Sequence, residues 1–190
     1  MLNKPETKIL VVIDGTYASR RTEDENELVM NTAADILTEA GFDTDTDIMC
    51  CLTESGTDCD PETIMNDIDE FSKELCMDDY DCVVAEGAAG WFWLQCRYPL
   101  PVVCVNPVMK PVNTFDDIIG SYEANAFRTI TRERELNISE SACIISAENE
   151  DETPCEFFQE SDMTYSDEFS YTQEFWKEVA CKVSELLDEI

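Results

Sequence analysis

Apolar and polar positions follow two alternating rhythms along this chain. Ile9-Leu10-Val11-Val12-Ile13 is a continuous aliphatic run, the pattern of a strand buried on both faces. Residues 23–40 switch to helical spacing, with Val29, Ala33, Ile36, Leu37 and Ala40 on one face and Gly41 as the stop. Residues 44–51 read as a weaker, polar strand near a sheet edge. Asp60-Pro61-Glu62 predicts a helix start: a capping acid, a proline in the first turn and an acid that suits the dipole. Ile64, Ile68, Phe71 and Leu75 then share a face. Cys82–Ala85 and Val102–Val105 are further strands, the second closed by Asn106-Pro107. Between them lies an apolar helix, Trp91-Phe92-Trp93-Leu94. Residues 114–140 are mixed and fit a small cap or irregular helices. Ala142–Ala147 is another strand. Residues 171–188 form a last amphipathic helix on Phe175, Val179, Val183, Leu186 and Leu187.

This rhythm predicts a three-layer α/β/α sandwich with a mostly parallel sheet. Neither an internal repeat nor a linker interrupts residues 1–190, so one domain is expected. In such sheets ligands sit at the carboxyl ends of the strands. The turns after Ile13, Ala85, Val105 and Ala147 are therefore the places to look for chemistry.

Charge changes the picture. Twelve basic residues face 43 acidic ones, a net charge of −31. Such a surface repels phosphates and anionic lipid heads, which argues against nucleic acid and membrane surfaces as partners. Residues 22–72 and 135–176 contain neither Lys nor Arg. Three readings of this acidity remain open: a basic partner, a decoy that occupies a basic nucleic-acid-binding protein, or solubility in a salty cytoplasm.

Histidine is absent, which removes every imidazole base and every His-containing metal site. Ten cysteines are present, none spaced as Cys-x-x-Cys. Cys82, Cys104 and Cys143 lie in apolar strand-like runs, where a free thiol acts as a small core hydrophobe. The adjacent Cys50 and Cys51 are the exception to a reading of buried, reduced thiols. With no apolar leader or membrane-length run, a reducing cytoplasm is the expected setting. Asp43-Thr44-Asp45-Thr46-Asp47 with Glu54 mimics the spacing of a calcium loop. Ile48 stands where that loop needs glycine, and a solvated edge strand is expected instead. No metal or cofactor is expected.

Small residues at 85 and 87–90 predict a sharp strand-to-helix turn with close backbone approach, the shape of a nucleophile elbow. Two blocks carry a resemblance from there. They are Val84-Ala85-Glu86-Gly87-Ala88-Ala89-Gly90-Trp91 and Leu100-Pro101-Val102-Val103-Cys104-Val105-Asn106-Pro107-Val108-Met109-Lys110-Pro111. The chain resembles the small YqiA-like esterases of the α/β-hydrolase superfamily. Those typically have Gly-Ser-Ser-Leu-Gly-Gly and an aromatic residue, then a Leu-Pro-strand-Asn-Pro-x-x-(Arg/Lys)-Pro segment. The resemblance runs from residue 8 to about 185 and is poor over 112–140.

It implies the following placements. The nucleophilic serine falls on Gly87, followed by Ala88. The oxyanion-hole His-Gly falls on Asp14-Gly15, and the acid on or near Asp151. The histidine falls near Thr164. Nucleophile and base are thus both missing, so the resemblance implies an esterase fold without its triad, and no catalytic residue is assigned. Asp14, Gly15, Glu86, Gly87, Ala88 and Asp151 would line the vestigial site, which would bind a basic protein or a small ligand. Two enzymatic alternatives stand beside this. Glu86 would be the nucleophile if the elbow shifted by one residue. A cysteine or Ser19 would serve in a His-free esterase, with Lys, Asp or Glu as base.

Overall fold

The computed structural model describes residues 7–14, 22–49, 61–109, 136–149 and 153–190. Six strands, β1 (Lys8–Asp14), β2 (Asp43–Met49), β3 (Cys82–Glu86), β4 (Val102–Val105), β5 (Ser141–Ile145) and β6 (Met163–Tyr165), form one sheet. Its order is β2-β1-β3-β4-β5-β6 and every pairing is parallel. Four helices accompany it among the described residues: α1 (Glu23–Glu39), α2 (Pro61–Met77), α3 (Ala88–Trp93) and α4 (Gln173–Glu189).

Successive strand residues supply opposite layers, because side chains alternate across a sheet. Ile9, Val11, Ile13, Cys82, Val84, Val103 and Val105 face α1 and α4, where Val29, Leu37, Phe175, Trp176 and Val179 complete one core. Leu10, Val12, Val83, Ala85, Val102 and Cys104 face the other way, onto Leu75, Trp91, Phe92 and Trp93 of α2 and α3. The result is a three-layer α/β/α fold, as the alternating pattern predicts.

Local chemistry explains where the elements start and stop. Thr22 caps α1 in a reciprocal box: its hydroxyl oxygen accepts from the Glu25 amide at 3.3 Å, and Glu25 Oε2 accepts from the Thr22 amide at 2.7 Å. Gly41, at φ +99°, ends the helix. Ala40 was expected on the buried face but is the exposed cap residue, because the helix finishes at Glu39. Thr172 caps α4 through the Phe175 amide. Residues 43–49 form the edge strand expected of that polar stretch, and not a calcium loop. Two departures stand out. The helix after β3 begins at Ala88, well before Trp91. Residues 163–165 form a short sixth strand that the polarity pattern does not announce. Asp60, Cys50, Cys51 and residues 110–135 lie outside the described residues, as do the side chains of Ile64 and Ile68.

Cys82, Cys104 and Cys143 are buried free thiols, the last two register partners in β4 and β5. Burial pushes the Cys82 thiol up to about 12 and raises Cys104 and Cys143 as well. Folded protein at neutral pH should therefore leave these three unmodified by a thiol reagent, while exposed Cys155 and Cys181 react; mass spectrometry of the labelled protein checks this. Raised thiol pKa values support folding fully below the ordinary value of 9.0, and that contribution is lost as pH rises through about 12. Stability should fall over that alkaline window. Among the described residues, no helix is long and apolar enough to cross a membrane.

Candidate functional site

The strand order reverses direction between β1 and β3: the chain steps outward from β1 to β2, then returns past β1 to β3. Open parallel sheets bind ligands at the carboxyl end of such a switch point. Asp14 ends β1 there, and Glu86, Gly87 and Ala88 carry β3 into α3.

The turn is sharp because Gly87 takes φ +62° and ψ −132°, a conformation that costs any residue with a Cβ. Its backbone is anchored on the next strand: the Gly87 amide donates to the Val105 carbonyl at 2.9 Å, and the Val108 amide donates to the Gly87 carbonyl at 3.1 Å. One turn on, a Cβ at Gly90 would lie 3.3 Å from the Ala85 carbonyl oxygen, Cys104 Sγ and Pro107 Cβ, so α3 sits tightly on the sheet. The small residues at 85 and 87–90 permit this approach.

Asp14 fills the space that Gly87 leaves. A Cβ on Gly87 would lie 2.6 Å from Asp14 Oδ2 and 2.7 Å from Asp14 Cβ. Asp14 Oδ2 accepts the Ala88 amide hydrogen at 3.0 Å. In the opposite sense, the Asp14 amide donates to Glu86 Oε2 at 3.0 Å. The two acids thus stitch the ends of β1 and β3 together. Both are buried, Asp14 at 1% exposure and Glu86 at 8%. Each accepts a backbone N–H, which offsets part of the cost of taking a carboxylate out of water.

Of the residues singled out in the sequence, Asp14, Glu86, Gly87 and Ala88 come together. Gly15 and Asp151 lie outside the described residues. Thr164 does not join them. It sits within β6, paired with Ile144, three strands away from β3, and helps line a depression beside Lys177 and Lys182 of α4. Trp91, Phe92 and Trp93 are core side chains against the sheet, not the walls of an open pocket. A groove of about 330 Å³ lies between α1 and α4, against Ile36, Ala40, Lys177 and Cys181, and includes none of the switch-point residues.

Three further residues extend this end of the sheet. Asn106, at φ +45°, accepts from the Ser146 amide at 2.8 Å and its hydroxyl at 3.1 Å, joining the ends of β4 and β5. Glu148 accepts from the amide of Ser170 at 2.9 Å and also from its hydroxyl. Burial alone would raise the Glu148 carboxyl, but the hydrogen bonds it accepts, those from Ser170 first and then from its own amide and Ser146, together hold it below the usual range. The signal for Asn106 was its place in the Asn-Pro pair that closes β4. Ser146 carried no signal beyond following a strand, whereas Glu148 opens the acidic run Glu148-Asn149-Glu150-Asp151-Glu152 in which the resemblance puts the acid.

Chemically, the switch point holds two acceptor carboxylates and a donor already in use. Among the described residues, no group of three or more His, Cys, Asp or Glu side chains is placed to hold a metal. No family model and no curated protein matches the chain. Among solved structures it is similar to a sucrose-phosphate synthase from Thermosynechococcus elongatus, with 10% identity and a TM-score of 0.48, over 95% of this chain and 98% of that one.

Proposed function

We propose that this chain is a binding protein built on an α/β-hydrolase-like framework, resembling the YqiA-like esterases and without hydrolase activity. The observation that carries this reading is the Asp14–Gly87 contact. In a nucleophile elbow, the side chain at the turn attacks the substrate, and the amide of the next residue stabilises the oxyanion. Here the turn residue has no side chain, and the amide of Ala88 is bonded to the Asp14 carboxylate, which also occupies the volume a nucleophile would need. The absence of histidine removes the usual base. Loss of a nucleophile or base costs about 10⁶ in kcat in a triad hydrolase, and the losses do not add.

Glu86 is a poor candidate for a relocated nucleophile, since it is buried and accepts the Asp14 amide. The burial of Asp14, Glu86 and Ala88 favours a protein partner on the surrounding surface over a small ligand reaching those side chains. Purified protein should hydrolyse p-nitrophenyl acetate and butyrate no faster than a buffer blank. Clear, saturable turnover that survives repurification would overturn the proposal and return a His-free esterase to the front.

A further inference from the structure

Residues 166–172 hook over the carboxyl end of β5. The Ser166 amide donates to the Ile145 carbonyl, the Ala147 amide to the Glu168 carbonyl, and Ser170 to Glu148. Trp176 of α4 holds the hook from below, its indole N–H donating to the Ser170 carbonyl at 2.9 Å. A segment so well tied could have turned its aromatic side chains inward, yet it presents them outward. Phe169 is 45% exposed and Tyr171 58%, with ring centroids 5.7 Å apart in a stacked arrangement. Tyr165, ending the neighbouring edge strand, is 64% exposed. The other exposed large hydrophobics, such as Leu28, Met77 and Tyr98, come from separate elements. Scattered apolar side chains are ordinary on a surface; rings gathered in one short segment are not.

The electrostatic setting says what would cover them. The segment lies within residues 135–176, which contain no Lys or Arg, and Asp167, Glu168 and Glu148 adjoin the rings in the chain or through the hook; the lysines beside Thr164, Lys177 and Lys182 of α4, are paired with Glu174 and Glu185. Aromatic faces are themselves negative and attract cations, arginine best of all through its planar guanidinium. The molecule already contains one such arrangement. Lys8 Nζ lies 4.1 Å from the centre of the Tyr80 ring and 3.7 Å from the Asp45 carboxylate.

We propose that the surface carried by residues 165–171 docks an arginine- and lysine-rich segment of a partner protein, the cations lying over Phe169 and Tyr171 within the surrounding acidic field. This rests on the reading of the chain as a binding protein, and the two fail separately: ester turnover would overturn that reading and leave this surface standing.

The test is titration of the full chain with a synthetic peptide alternating Arg and Leu, by calorimetry at low and at near-physiological salt. Binding should weaken as salt rises. A Phe169→Ser/Tyr171→Ser variant should bind roughly tenfold more weakly, as two exposed cation–π contacts would dictate. Leu28→Ser, an exposed change on α1, should bind like the parent, and a circular dichroism melt of each variant checks that it folds. If the double variant melts early, Phe169→Leu/Tyr171→Leu, which keeps apolar bulk and removes both rings, replaces it and should also weaken binding. Equal affinity for parent and ring variant would overturn the proposal, as the attraction would then be diffuse charge. Absence of binding at low salt would overturn it too, and so would self-association of the chain through these rings in sedimentation runs without peptide.

Discussion

A Gly87→Ser variant is expected to lose about 2–5 kcal/mol of folding stability, although it places a serine where a nucleophile elbow would carry one. Two costs combine. The backbone at φ +62° and ψ −132° strains any side chain, by about 1–3 kcal/mol. The new Cβ would meet Asp14 Oδ2 and Cβ at 2.6 and 2.7 Å, closer than carbon and oxygen tolerate, and Asp14 is tied to Ala88. Asp14→Gly alone removes that tie and leaves the Ala88 amide without this acceptor, costing about 1–3 kcal/mol. The double variant should be less destabilised than the sum of the two, with a coupling of about 1–3 kcal/mol, because the serine then occupies the vacated space. Urea denaturation of the four proteins gives the cycle. Strict additivity would mean that the contact between positions 14 and 87 carries no energy.

The second large effect is expected at Trp176. Its side chain is fully buried between α4 and the sheet, edge-on to Phe175 at 5.9 Å, and its indole holds the Ser170 carbonyl. Trp176→Ala should cost about 3–5 kcal/mol through the cavity it leaves. Trp176→Phe keeps most of the volume and should cost about 1–2 kcal/mol, largely the lost hydrogen bond. Hydrogen exchange should separate the two roles. In Trp176→Phe the amides of 166–172 should open more readily while those of β1 and β3 keep their protection. Unchanged exchange in that hook would show that its bonds to Ile145, Ala147 and Glu148 secure it without the indole.

The layered fold was legible because burial on both faces leaves a plain mark. Ile9–Ile13, Cys82–Ala85 and Val102–Val105 are continuous apolar runs, and all three became adjacent central strands. The edges were harder. β2 was readable as a polar edge, but β6 has three residues that are half-buried or exposed, too few and too mixed to show a period. At the switch point, the small residues predicted the turn, and the resemblance put Asp14, Glu86 and Gly87 there. It could not reveal that Asp14 fills the missing side chain's place, because that contact joins residues 73 apart and depends on the parallel register of β1 with β3. Placing Thr164 at the site relied on the resemblance, and sheet order puts it on the far edge.

The outer strand β2 has a consequence for how copies of this chain behave at high concentration. Asp43, Asp45 and Asp47 are exposed and alternate with half-buried Thr44, Thr46 and Ile48, while the strand's outer backbone has no neighbour in the sheet among the described residues. A second copy that docked its own β2 there would bring rows of aspartate within about 5 Å of one another across the new ladder. The carboxylates therefore act as a fence against sheet extension. Replacing the three aspartates by asparagine would remove the row and leave a threonine-rich edge able to pair, which favours ordered, sheet-continuing aggregates over amorphous ones.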